Sequence, residues 1–141
     1  MEAQKLSDYH FEQTSREEVL AGRPSIAKWL LLFYKNERIG SIKYEMRGKE
    51  LVIWNRLVKG TPEERKARNQ AFSTVPENKD KRSLGDEILF QAIQREHAKA
   101  VATPHQTRSS KDSFARMRKK FGIKLASRLP KKVPMGLIRR R

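Results

Sequence analysis

The chain has 141 residues, enough for one domain of ordinary size, and 37% of them are hydrophobic, enough for a single core. With 32 Lys+Arg against 16 Asp+Glu it carries +16, and with no cysteine it excludes disulfide scaffolds, thiol nucleophiles and thiolate zinc sites. No apolar run approaches the ~20 residues that span a bilayer, and the N-terminal residues hold no signal-peptide core, so the chain reads as soluble and cytoplasmic with no membrane partner.

In chain order, Ser15-Arg16-Glu17-Glu18 followed by Val19 and Leu20 predicts a helix start, with Ser15 as cap. Gly22, Pro24 and Ser25 keep that helix short. Ile26 to Tyr34 is dense in aliphatic and aromatic residues and predicts a strand. Ile39 to Met46 and Leu51 to Val58 predict two more, joined by the turns at Lys35–Arg38 and Arg47–Lys49 into an antiparallel meander. Thr61-Pro62-Glu63-Glu64 then opens a helix to about Phe72, with a capping Thr, Pro at the first position and too few apolar residues to be anything but peripheral.

Val75 to Arg82 is a polar loop. From Gly85 the pattern is helical, with Ile88, Leu89, Ala92 and Ile93 on one face. Ala100 to Thr103 predicts a short strand, and Ser109 to Phe121 a helix with Phe114, Met117 and Phe121 on one side and Arg116, Lys119 and Lys120 on the other. Val133 to Ile138 predicts a last strand. The order describes one α+β domain over residues 1–141, a mostly antiparallel mixed sheet flanked by helices.

The charge is placed unevenly. Thr107 to Arg141 holds 13 basic residues against Asp112 alone, so these 35 positions carry +12 of the total. Such concentration predicts a surface for phosphates, carried by Arg116, Lys119, Lys120, Lys124, Arg139, Arg140 and Arg141. Residues 124–141 form its basic C-terminal segment.

Arg82-Ser83-Leu84-Gly85-Asp86-Glu87-Ile88-Leu89 runs a small-residue turn straight into an amphipathic helix. Such a turn aims backbone N–H groups out of a positive helix end, where a pyrophosphate fits. With Val75-Pro76-Glu77 upstream, this stretch resembles the cofactor loop of the GNAT family, the acetyl-CoA-dependent N-acetyltransferases, with Ser83 in place of a glycine and Gly85 retained. Arg38-Ile39-Gly40-Ser41-Ile42 is similar to that family's hairpin strand, and Phe114 to Ile123 to its late helix. The resemblance covers roughly Ile26 to Ile123. It departs in the insertion and polar loop at residues 59–80, and in Arg118, which stands where many members place a tyrosine acid.

The resemblance implies a GNAT-like domain that binds acetyl-CoA through Lys81, Arg82, Ser83, Leu84, Gly85 and Asp86. It also implies direct attack of an amine on the thioester, for which Asn55 and His105 are the candidate catalytic residues. No metal site is expected, since three scattered histidines and no thiols offer no ligand set. A +16 field repels Lys-rich peptides and attracts nucleic acid, so the acceptor would be an amine of DNA, RNA or an associated substrate. Trp29, Trp54 and Phe72 are candidates for stacking on bases. The alternative is a nonenzymatic, basic nucleic-acid-binding protein on a degenerate GNAT-like scaffold.

Overall fold

The computed structural model describes residues 3–103 together with Asp112, Ser113, Ala115, Arg116 and Lys119. After a single 3-10 turn at Leu6–Asp8, four strands follow one another: β1 (Tyr9–Leu20), β2 (Arg23–Tyr34), β3 (Glu37–Arg47) and β4 (Glu50–Val58). Two helices, α1 (Pro62–Phe72) and α2 (Leu84–Glu96), lead to the short strand β5 (Ala100–Ala102). The sheet order is β1-β2-β3-β4-β5, antiparallel from β1 to β4 and parallel between β4 and β5. The fold is α+β with a five-stranded mixed sheet. Among the described residues no helix is long and apolar enough to cross a membrane.

The N-terminal expectation is corrected. Ser15 to Leu20 is not a helix; it belongs to β1, which pairs with β2 over all twelve of its residues, from Tyr9↔Tyr34 to Leu20↔Arg23. Ala21 and Gly22, both at positive φ, make the two-residue hairpin turn whose twist suits antiparallel strands. The local cap signal at Ser15 yields to long-range pairing with the strongly apolar β2. Only Tyr9 and Phe11 pack against the core cluster from β1, while Glu12, Arg16 and Glu17 are exposed. Charges of this kind are how an edge strand resists pairing with another chain.

The other elements from β2 to β5 lie close to where the periodicity puts them. Thr61 caps α1 in a reciprocal box: its side chain accepts from the Glu64 N–H at 3.2 Å, and its own N–H donates to Glu64 Oε1 at 2.8 Å. Phe72 is the only buried residue of that helix. α2 buries Leu84, Ile88, Leu89, Ala92 and Ile93 against Leu30, Leu32, Ile42, Leu51 and Ile53 of the sheet. Gly40 permits the approach, since a Cβ there would lie 2.6 Å from Ile88 Cδ1.

The far end of α2 is tied to the sheet by polar contacts. The buried Tyr44 hydroxyl donates to Glu96 Oε2 at 2.6 Å, Lys28 Nζ lies 3.0 Å from the same oxygen, and Gln13 donates to the Tyr44 hydroxyl at 2.9 Å. Burial works against the Glu96 charge, but the hydrogen bonds from Tyr44 and Lys28 outweigh it and hold the carboxyl below its ordinary value. A depressed folded value means that the contribution is complete above the unfolded value and is lost as the pH falls through the folded one. Glu96→Gln should therefore cost about 1 kcal/mol at neutral pH. In urea unfolding at a series of pH values, that deficit should shrink below about pH 4.

Candidate functional site

Pairing between β4 and β5 covers only Glu50–Val52 against Ala100–Ala102. Thr103 Oγ1 then donates to the Ile53 carbonyl at 3.1 Å, and β4 runs on to Val58 without β5. Beside this stretch stands the N-terminus of α2. Arg56 Nη1 lies 3.4 Å from the Gly85 carbonyl, and Val58 Cγ2 borders the space where a Gly85 Cβ would sit. The first-turn segment expected to cradle a pyrophosphate thus lies beside the end of β4.

Its donors, however, are largely engaged. The Leu84 N–H donates to Asn69 Oδ1 at 2.8 Å, the Asp86 N–H to Ser83 Oγ at 3.1 Å and the Glu87 N–H to the Ser83 carbonyl at 2.9 Å. Upstream, the Arg82 N–H donates to Asn78 Oδ1 at 2.8 Å, and the Arg82 guanidinium pairs with Glu87 and Asp80. Asn69 belongs to α1, so the inserted segment closes the helix end that it precedes. Two positions stay open: Lys81 is exposed, and the Gly85 N–H has no partner among the described residues. A Cβ at Gly85 would meet nothing nearer than 4.0 Å, so packing does not demand glycine there. Asn69→Ala should leave the Leu84 N–H uncapped and lower stability by about 1 kcal/mol. The check is a urea midpoint that falls at unchanged m.

Asp86 turns its carboxylate elsewhere. It is 4% exposed and accepts from Ser113 Oγ at 2.7 Å and from Arg116 Nε and Nη2 at 2.7 and 3.2 Å. Arg56 Nη1 in turn donates to Ser113 Oγ at 2.9 Å. Two arginines and one aspartate therefore share one network between β4, α2 and the helical residues Ser113 and Arg116. Burial pushes the Arg56 guanidinium down, countered by Asp86, while the hydrogen bond to Asp86 raises Arg116. Arg56 was not foreseen from sequence; its only local signal is a charge on the helix-facing side of an otherwise apolar strand.

The remaining expected residues are scattered. Asn55 is exposed beside Lys43 of β3, and alternation along β4 places it on the face opposite Arg56 and the α2 N-terminus. Arg116 is committed to Asp86, and Lys119 is exposed. His105, Lys120, Lys124, Arg139, Arg140 and Arg141 lie outside the described residues, as do Arg118 and the strand expected at Val133–Ile138. Among the aromatics, Phe72 is buried in the core edge-on to Tyr9, so it is not available for stacking. Trp54 donates its Nε1–H to Glu45 at 2.7 Å, and Trp29 is half-buried on the sheet face away from α2. Among the described residues no three His, Asp or Glu side chains are grouped to hold a metal. No protein family, curated protein or solved structure matches this chain.

Proposed function

We propose that this chain is a nonenzymatic nucleic-acid-binding protein on a GNAT-like scaffold. The observation that carries this reading is the self-capped N-terminus of α2. Asn69 and Ser83 occupy the donors that a pyrophosphate needs, and Asp86 and Glu87 add acid to its first turn. A phosphate placed there would have to displace both caps. Asn55 stands on the other face of β4 from this helix end, so it does not converge with the candidate cofactor residues. The charge supplies the partner: +16 overall, with +12 in residues 107–141, favours a polyanion through counterion release.

One observation favours a second reading, an acetyl-CoA-dependent N-acyltransferase acting on a nucleic-acid amine. The parallel β4–β5 pair covers three residues among those described, and a Cβ at Gly85 beside it would meet nothing nearer than 4.0 Å. Thermal unfolding with each ligand separates the two. A ligand at 100 times its dissociation constant adds about 2.7 kcal/mol of stability. The proposal expects a raised midpoint with an oligonucleotide and none with acetyl-CoA. A rise with acetyl-CoA, together with acetyl transfer to an amine, would replace it by the second reading.

A further inference from the structure

We infer that the sheet face turned away from α2 is a stacking platform for single-stranded nucleic acid, with Trp29 and Phe33 as its base contacts. The inference rests on the nucleic-acid reading above and names the substrate class and its place on the fold.

Strand register brings three rows of side chains to this face. They are Thr14–Trp29–Lys43–Asn55, Glu12–Leu31–Ser41–Leu57 and His10–Phe33–Arg38. The intervening residues Leu30, Leu32 and Ile42 point to the helices and are buried. No described element packs over these rows, where His10, Arg38 and Asn55 are exposed and Leu57 is 54% exposed. Trp29 and Phe33 are four residues apart on one strand, a separation of about 13 Å.

Each ring is already held in a stacking arrangement. The Arg16 guanidinium and the Lys43 ammonium lie 5.1 and 5.2 Å from the Trp29 ring centroid. The Phe33 ring stacks on His10 at 4.9 Å with planes 6° apart. Beside Trp29, a groove of about 370 Å³ is bounded by Thr14, Ser15, Arg16, Leu31 and Arg38. Apolar and aromatic side chains on a sheet face that no described element covers, in a strongly basic protein, suit unpaired bases. Every base offers a π-face, and arginine stacks as well as pairs. A duplex keeps its bases stacked inside and gains nothing from such a face.

Charge separates this contribution from that of the basic C-terminal residues. Glu18 bridges Arg16 and Lys43 at 2.8 Å each, and Glu12 lies in the next row, so the platform is close to neutral. Its contribution is stacking, which salt screens weakly, whereas phosphate contacts set the salt slope.

The test uses the full chain with an oligothymidylate and a duplex of matching length. Trp29→Ala should weaken oligothymidylate binding about tenfold while leaving the slope of log K against log salt and the duplex affinity unchanged. Trp29→Phe keeps a ring and should retain most of the affinity. Oligothymidylate should quench tryptophan emission in the wild type, and this quenching should disappear in Trp29→Phe, which reports on the platform even if Trp29→Ala does not fold. Equal loss on single strand and duplex, or emission unmoved when oligothymidylate binds, would overturn the platform and leave this face to a protein partner or to the chain's own C-terminal residues. If the wild type binds neither probe at about 50 mM salt, the nucleic-acid reading itself fails and the platform with it.

Discussion

Asp86→Asn is expected to destabilise the fold by about 2 kcal/mol, the order of losing hydrogen bonds to a buried charge whose partner Arg116 is itself half exposed. Asparagine keeps the shape and removes the charge that Ser113 and both Arg116 nitrogens address. Arg56, whose charge burial already disfavours, would then face Arg116 across Ser113 with no anion between them. Urea unfolding should show a lower midpoint with m unchanged. Adding Arg116→Gln to Asp86→Asn should cost less than Arg116→Gln alone, because the partner is already gone. A single-variant loss below about 0.5 kcal/mol would mean that the network contributes little and that Asp86 is a surface charge in effect.

The second large effect belongs to the basic C-terminal segment. Replacing Lys124, Lys131, Lys132, Arg139, Arg140 and Arg141 by glutamine removes six charges from a stretch with no local acid to balance them. If all six meet phosphates, oligonucleotide affinity near 0.1 M salt should fall by up to about 10³-fold and the salt slope should flatten by about four units. Urea unfolding should show little change in stability. Arg116 is left out of the set because its guanidinium holds Asp86, so changing it would test folding and binding together. A six-fold variant that binds as tightly as the wild type would place the polyanion elsewhere on the molecule.

What could be read ahead of the structure follows from how local each signal is. The Thr61 capping box and the apolar stripe of α2 are complete within a dozen residues, and both helices start where those residues say. β2, β3 and β4 carry enough apolar density to declare themselves alone. β1 does not: it is an edge strand whose charges are spread along its exposed side, and only pairing with β2 makes it a strand. The same distinction holds at the candidate site. The turn into α2 at Ser83 was visible, but what fills it was not. Asn69 reaches Leu84 from 15 residues earlier, and Arg56 reaches Ser113 across 57. Neither side chain has a local pattern that announces a partner so distant in sequence.

The most direct measurement is fluorescence anisotropy of a labelled oligothymidylate titrated with the wild-type chain at salt concentrations from about 50 to 200 mM. Engagement of six to ten phosphates predicts a straight line of log K against log salt with a slope between about −4 and −7, and no competition by acetyl-CoA. Absence of binding at the lowest salt, or a slope near zero, would contradict the account.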